Sequence, residues 1–320
     1  MKLPFDLPFR EPPQSNVLLL GAGGGYDVVC TLPIAVALRD AGCRIHLASY
    51  STTDFSGSSA IPDVPTNLLP VDSAYRRSSS DRFSEDIVAR WWLETFAEEK
   101  PVWCFTRPGV RSMSTGLAWL RKKLDLTAVV VVDGGVDGLF IGNEYDLGTP
   151  SMDAISIIAA WTLEDCRKYY AFTAFGTEGP AYHIRHADVL KRISELVRHR
   201  AMLGVSALLP LSHAGDLFLD ALEFIGNAVD PIFRSIISSS IECAMRGGFG
   251  ETNLTPRTDW APVWVSPLTL LYWYFDLVAV ANAKPYLREV LDTDDVVAVA
   301  EAIERTRKRM GVVDRQDIPI

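Results

Sequence analysis

Short apolar runs alternate with segments of helical periodicity through the first half of the chain. The runs at 17–20 and 127–132 are almost wholly apolar, which is typical of strands buried on both faces of a parallel sheet. Further strands are predicted at 44–49, 102–105 and 169–175, and helices at 27–40, 85–98, 114–124 and 151–164. Five alternations of strand and helix imply right-handed β-α-β crossovers. The pattern therefore predicts an α/β fold: a Rossmann-like, doubly wound, mostly parallel sheet with helical C-terminal elaborations.

The second half of the chain is mainly helical in its pattern. A short apolar piece at 205–209 could form a sixth strand, and helices are predicted at 217–228, 231–245, 267–281 and 294–310. The apolar run at 265–282 is about long enough to span a bilayer, but Pro267 and Asp276 interrupt it. We therefore predict a buried core helix there, with the aromatic cluster at 270–275 in the core or in a subunit interface.

No stretch of the sequence has the composition of a linker between two domains. We predict one domain over residues 1–320, with a sheet-forming core at 14–210 and a mainly helical part at 211–320. The stretch 51–80 is rich in Ser, Pro and Asp and has no period. A long segment of this kind inside a compact domain predicts a lid or a disordered insertion.

Composition and charge narrow the class of protein. The 320 residues carry 31 basic and 40 acidic side chains, a net charge of −9, so no nucleic-acid or anionic-membrane partner is favoured. The N-terminus has prolines and an early acid where a signal peptide needs an apolar run. Five separated cysteines without a C-x-x-C pair indicate reduced thiols. We expect a cytoplasmic protein that binds a small molecule, with a homo-oligomer left open.

A glycine-rich loop follows the first predicted strand. Gly21, Gly23, Gly24 and Gly25 precede Asp27 at a predicted helix start, where backbone N–H groups can hold a phosphate or a nucleotide. A dinucleotide fingerprint would need glycine at Tyr26 and an acid at the end of the second strand, where Ser49, Tyr50 and Ser51 stand. The loop also resembles the G-x-G-x-G of S-adenosylmethionine methyltransferases, but Leu19 replaces their usual acid. NAD(P), S-adenosylmethionine and a tight turn without a ligand remain alternatives.

An acidic loop follows the strand predicted at 127–132. Between Asp133 and Asp153 the chain has five acids and no Lys or Arg. Clustered carboxylates at a sheet edge need a divalent cation such as Mg²⁺, a cationic substrate or a shared proton. Asp133, Asp137, Glu144 and Asp153 are therefore the candidate catalytic residues. The alternative is that Asp133 and Asp153 cap turns and helix starts.

Two further loops carry candidate ligand groups. Arg107 and Arg111 follow the strand predicted at 102–105 and could clamp a phosphate or a carboxylate, or could pair with the acidic loop. His183 and His186 lie three residues apart and could ligate a metal or supply a base, although hydrogen bonding at a helix start explains them as well. The metal-ligand candidates are Asp133, Asp137 and His183.

Several of these motifs together resemble one protein family. The segments at 21–28, 132–139 and 147–150 read GAGGGYDV, VDGGVDGL and LGTP, and the similarity extends through 107–111, 238–241, 257–258 and 264–276. These segments are similar to the uncharacterised proteins grouped as domain of unknown function 1152. The resemblance implies a shared fold and a shared pocket, and no particular activity.

These observations lead to one function hypothesis and two alternatives. We expect an enzyme that acts on a small polar, phosphorylated or nucleotide-like metabolite by hydrolysis or group transfer, through the acidic cluster and with or without a divalent metal. One alternative is an enzyme that uses a nucleotide cofactor, either an NAD(P)-dependent oxidoreductase or an S-adenosylmethionine-dependent methyltransferase. The other is a non-catalytic sensor of a nucleotide-type ligand.

Overall fold

A computed structural model describes residues 4–53, 55, 61–75, 84–178, 184–259, 261–314 and 318. Its centre is a sheet of eight strands, and a separate two-stranded ribbon lies in the C-terminal part. The sheet consists of β1 (Asn16–Gly21), β2 (Arg44–Ser51), β3 (Leu68–Val71), β4 (Val102–Thr106), β5 (Ala128–Asp133), β6 (Arg167–Phe172), β7 (Met202–Ala207) and β10 (Leu271–Asp276). The ribbon pairs β8 (Gly250–Thr252) with β9 (Val263–Val265).

Helices connect and cover these strands. They are α1 (Asp27–Cys30), α2 (Leu32–Asp40), α3 (Glu85–Phe96), α4 (Val110–Leu124), α5 (Ser151–Trp161), α6 (His186–Arg198), α7 (His213–Ala228), α8 (Ile236–Met245), α9 (Leu277–Asn282), α10 (Leu287–Val290) and α11 (Val296–Met310). Short 3₁₀ turns lie at Asp137–Leu139, Pro231–Phe233, Pro256–Thr258 and Pro267–Leu270. Among the described helices, none combines the length and the apolar character needed to cross a bilayer.

The strand order defines the topology. Across the sheet the strands stand in the order β3-β4-β2-β1-β5-β6-β10-β7. The neighbours from β4 to β6 are parallel, and in chain order they are the third, second, first, fourth and fifth parallel strands, as in a dinucleotide-binding sheet. The order reverses between β1 and β5. The predicted Rossmann-like, mostly parallel sheet is confirmed.

Each face of the sheet has its own hydrophobic core because side chains alternate along a strand. Val129 and Val131 of β5 belong to the cluster that includes α4 and α5. Val130 and Val132 belong to the cluster on the opposite face, with α2, α3 and α7. Helices on both faces explain why the central strands are apolar throughout.

The helix predicted at 267–281 is wrong over its central part. Residues 271–276 form β10, which lies antiparallel between β6 and β7, and only Leu277–Asn282 is helical. Tyr272 and Tyr274 pack into one core and Phe275 into the other, so the aromatic cluster is core. A continuous apolar run does not distinguish a strand from a buried helix, and the aromatic side chains fit a pleated surface better.

The remaining differences concern boundaries and the stretch 51–80. The helix predicted at 27–40 is divided into α1 and α2, which meet at Thr31, two residues before Pro33. Within 51–80 the structure adds β3, an antiparallel strand at the edge of the sheet beside β4, which the missing period did not indicate. Residues 54, 56–60 and 76–80 of that stretch lie outside the described residues, so the lid stays a prediction.

Candidate active site

A cleft of about 560 Å³ lies where β1 and β5 end. Gly21 of β1 is in register with Val132 of β5, so the loops that follow both strands meet at the same edge of the sheet. This edge is the switch point in strand order, where open α/β sheets bind their ligands. The segment around α8 also lines the cleft, through Ser235, Ile236, Ile237, Arg257, Thr258, Ala261 and Val263.

Five carboxylates line the cleft. Each lies in the first turn of a helix or at or after the end of a strand, and they are Asp27, Asp133, Asp137, Asp153 and Glu178. They form two overlapping trios. In each trio one oxygen from every member lies within 4.8 Å of the others, and the members are Asp27, Asp133 and Asp153 in one and Asp133, Asp137 and Glu178 in the other. Asp133 belongs to both trios, so it stands at the centre of the cluster.

Asp133 is the last residue of β5 and is 2% exposed. Its Oδ2 accepts hydrogen bonds from the Tyr170 hydroxyl at 2.8 Å and from the Gly138 N–H at 2.9 Å. Tyr170 belongs to β6, the next strand in the sheet. The carboxylate is therefore oriented by two rigid neighbours, because one donor sits on a central strand and the other on the turn that follows.

Glycines let the backbone close around the carboxylates. A Cβ on Gly138 would lie 2.5 Å from Asp133 Oδ2, and one on Gly135 would lie 1.8 Å from Glu178 Oε1. Gly148 has φ +63°, and its Cβ position is 2.7 Å from Asp137 Oδ2. That oxygen also accepts the Thr149 N–H at 2.6 Å. Side chains at these glycines would displace the carboxylates.

Asp153 differs from the other members of the cluster. It lies in the first turn of α5, is 4% exposed and lines the cleft. Its Oδ1 is 2.9 Å from the Cβ position of Gly23. No hydrogen-bond donor or cation from the described part of the chain contacts its carboxylate. A buried carboxylate without a donor is costly, so Asp153 is available for a ligand in the cleft.

Burial raises the pKa of all five carboxylic acids. The pKa of Asp27 rises to about 7 and that of Asp137 to about 6, although backbone N–H groups that donate to them oppose the shift. The pKa values of Asp133, Asp153 and Glu178 rise well above their ordinary range, because neighbouring carboxylates add to the effect of burial. The cluster therefore favours a bound cation or retained protons near neutral pH.

Two basic residues near the cleft were not predicted. Lys284 is 2% exposed, and its Nζ donates to the carbonyl oxygens of Gly138 at 2.7 Å and Phe140 at 3.0 Å behind the acidic loop. Burial lowers its pKa to about 8, although the carboxylates oppose this. Arg257 lines the cleft and donates to the Arg234 carbonyl at 2.6 Å. Neither contact has a signal in the local sequence.

The glycine loop is engaged by the chain's own acid. Gly21 makes a tight turn, because a Cβ there would lie 2.5 Å from Val28 N. Gly23, Gly24 and Gly25 line the cleft, but the Gly23 N–H donates to Asp27 Oδ2 at 2.6 Å. A phosphate at this N–H would have to displace a carboxylate, so the loop alone is a poor anion site.

Glu144 does not line the cleft, and its predicted catalytic role is not supported by its position. Its Oε1 accepts from Arg192 Nε at 2.5 Å, and its Oε2 accepts from the Gly142 N–H at 2.9 Å. Both side chains of the pair are buried. Glu144 therefore holds the acidic loop in place. Its residue type and its position in the loop suit this role and a catalytic role equally, so the sequence could not separate the two.

Neither arginine of the predicted clamp lines the cleft. Arg107 is exposed, and its guanidinium donates to the Thr52 carbonyl. Arg111 pairs with Asp294 at 3.4 Å and does not contact the acidic loop. His183 lies outside the described residues, so its predicted metal role is untested. His186 begins α6, packs on Phe175 with ring centroids 5.0 Å apart, and does not line the cleft.

Glu178 is the cluster member that the sequence prediction omitted. It follows β6, the strand next to β5, so the rule that ligand-binding residues follow neighbouring parallel strands could have found it. Its Oε1 accepts the Val136 N–H. Glu178 thus ties the loop after β6 to the loop after β5.

The fold and the cleft define a class: a Rossmann-like α/β protein whose cleft at the switch point is lined by a buried cluster of carboxylates. The chain belongs to the family described as Protein of unknown function (DUF1152), whose model matches residues 71–313. The matched range includes four of the five carboxylates and begins after the glycine loop. No curated protein and no solved structure matches the chain.

Proposed function

We propose that this protein is a divalent-cation-dependent enzyme that acts on a small phosphorylated or nucleotide-like metabolite by hydrolysis or group transfer. The observation that carries the proposal is the grouping of Asp27, Asp133, Asp137, Asp153 and Glu178 in one cleft. Carboxylate oxygens are the ligands that Mg²⁺ and Mn²⁺ prefer. Asp153, buried without a partner among the described residues, supplies a vacant ligand oxygen.

The size and charge of the cleft support the substrate class. About 560 Å³ is within the range of pockets for small metabolites. An anionic substrate beside five carboxylates needs a cation between them. Arg257 and the start of α8 also line the cleft, and both favour negative charge. The substrate would therefore lie with an anionic group between the cation and these groups.

Each residue has a distinct part in this proposal. Asp133 is held by Tyr170 and Gly138 and would hold the cation at a defined position. Lys284 holds the backbone of the acidic loop from behind. A cation in this position would polarise a phosphoryl oxygen and lower the pKa of a bound water.

Calorimetric titration with MnCl₂ and MgCl₂ tests the cation site. We expect binding to the wild type and a loss of at least about 100-fold in affinity for Asp133→Asn, because a central ligand is removed. Asp146→Asn is the matched control, since Asp146 lies in the same loop and does not line the cleft. Absence of cation binding to the folded wild type would refute the proposal.

The reaction class needs a separate test. Phosphate release from nucleotides, sugar phosphates and pyrophosphate, measured with and without Mn²⁺, should show turnover that Asp133→Asn abolishes and Asp146→Asn retains. Tight binding of one of these compounds without turnover would instead support a non-catalytic sensor.

A nucleotide cofactor is the second candidate, and the strand order favours it. The parallel strands have the order of a dinucleotide-binding sheet, and the glycine loop lies at its switch point. Against it, β2 ends at Ser51 without an acid, and Asp27 occupies the Gly23 N–H. A rise in melting temperature with NAD(P) or S-adenosylmethionine, independent of metal, would favour this candidate.

A further inference from the structure

We infer that the cleft holds two divalent cations bridged by Asp133, and that its substrate is a phosphoester or a phosphoanhydride. This inference rests on the proposed cation-dependent function and makes its site specific. The two trios of carboxylates share only Asp133. One cation would therefore lie with Asp27 and Asp153, and the other with Asp137 and Glu178.

The oxygen atoms of Asp133 suit a bridging role. Oδ2 is held by the Tyr170 hydroxyl and the Gly138 N–H, which fixes the plane of the carboxylate. Within the described chain no hydrogen bond engages Oδ1. A carboxylate that is anchored through one oxygen presents the other at a defined position, which is what a shared ligand requires.

Asp153 supplies an independent indication that a cation is missing from the first trio. It is 4% exposed, lines the cleft and has no partner among residues the structure describes. Carboxylate oxygens of Asp27 and Asp133 lie within 4.8 Å of an Asp153 oxygen, and ionised carboxylates at that distance repel each other. A cation shared with Asp27 and Asp133 is the partner that this arrangement lacks.

The charge balance suits two cations with an anionic substrate. When ionised, the five carboxylates carry five negative charges, and Lys284 and Arg257 carry two positive ones, which leaves three net negative charges. Two divalent cations would turn this into one net positive charge, which a phosphoryl group can neutralise, whereas one cation would leave the largely buried site negative and repel the substrate.

Two neighbouring cations fit displacement at phosphorus. Such pairs, about 3.5–4 Å apart, stabilise both the attacking and the leaving oxygen. Water attacks phosphorus, the P–O bond to the leaving group breaks, and the proton released by the water ends on the leaving oxygen. The products are phosphate and an alcohol or a second phosphate, and no oxidant or reductant is needed.

Metal stoichiometry tests the pair. The full-length protein is equilibrated with MnCl₂, and bound manganese is measured by elemental analysis and electron paramagnetic resonance. We expect two equivalents and an exchange-coupled spectrum for the wild type. Asp153→Asn and Glu178→Gln should each retain one equivalent with an uncoupled spectrum, while Asp146→Asn keeps two. Circular dichroism confirms that each variant is folded.

The outcomes separate this inference from the proposed function. One equivalent in the wild type, lost in both variants, would overturn the pair and leave a single-cation enzyme. No bound manganese would overturn both. Two coupled equivalents, with hydrolysis of pyrophosphate or p-nitrophenyl phosphate lost in both variants, would support both. Two equivalents without hydrolysis of any phosphate compound would keep the pair and refute the substrate class.

Discussion

The Tyr170 hydroxyl donates a hydrogen bond to Asp133 Oδ2 at 2.8 Å, so β6 positions the carboxylate that ends β5. Both residues are buried, and the contact joins two neighbouring strands of the sheet. The orientation of the central carboxylate thus depends on a side chain that does not line the cleft.

Replacement of Tyr170 by Phe should weaken cation binding without removing a ligand. We expect Tyr170→Phe to reduce Mn²⁺ affinity about 10-fold, because loss of the outer hydrogen bond lets Asp133 rotate. Calorimetric titration measures the change. Tyr169→Phe is the matched control, since its hydroxyl bonds Glu11 at 3.0 Å, outside the cleft. Equal affinities of Tyr170→Phe and the wild type would contradict this role.

Lys284 should contribute strongly to stability. Lys284→Met leaves the carbonyl oxygens of Gly138 and Phe140 without this donor and removes a cation beside the carboxylates. We expect the free energy of unfolding to fall by about 2–4 kcal/mol. Urea unfolding measures this loss. The control is Lys191→Met at an exposed position, which should change the free energy of unfolding by about 0.5 kcal/mol or less. A loss no larger than that of the control would contradict the assignment.

Glu144 should matter for folding and not for cation binding. Glu144→Gln removes the buried one of the two carboxylates that pair with Arg192, whose other partner, Glu195, is partly exposed. We therefore expect the free energy of unfolding to fall by about 2 kcal/mol. Mn²⁺ affinity of the folded variant should change less than about 2-fold, since no ligand is altered. Glu242→Gln, which breaks the exposed pair with Arg246, is the control. A large loss of Mn²⁺ affinity in Glu144→Gln would show that Glu144 belongs to the cation site.

Glu85 should make stability fall as pH rises. It is buried, accepts from Ser49 Oγ at 3.0 Å, and burial raises its pKa to about 7. Between its ordinary value of about 4.3 and pH 7 the unfolded chain loses this proton while the folded chain keeps it, so the unfolding free energy falls across that window. Glu85→Gln removes this contribution.

The difference between Glu85→Gln and the wild type isolates the effect. We expect the variant to gain on the order of 2 kcal/mol relative to the wild type between pH 5 and pH 8. The cleft carboxylates act on both proteins, so their effect cancels in the difference. Glu94→Gln, an exposed position on the same helix, should show no such change. A difference independent of pH would show that Glu85 is ionised in the fold.

The sequence could predict those cleft residues whose position follows from the local hydrophobic pattern. Asp133 ends an apolar strand, and this alone places it at the rim of the sheet. Asp137 and Asp153 follow in the same loop and helix start. Glu144 has the same chemistry but lies outside the cleft lining and pairs with Arg192. The sequence could not indicate this, because Arg192 is remote in the chain and becomes adjacent only in the fold.

Other features required the three-dimensional arrangement. Lys284 follows a short apolar helix, and nothing local indicates that its ammonium group reaches Gly138. Arg107 and Arg111 follow a strand at the correct edge, but they turn toward other loops. The strand β10 was predicted as helix because apolar continuity suits both structures, and only its neighbours β6 and β7 decide.

The position of β10 constrains the order of assembly on the ribosome. In the sheet β10 lies between β6 and β7, and it is synthesised some sixty residues after β7. Until then neither β6 nor β7 can form its native pairing with β10. The nascent chain must hold two unpaired strand edges during that interval, which exposes it to association with other chains. Completion of the sheet is therefore a late event in biosynthesis, and such long-range pairing is slow.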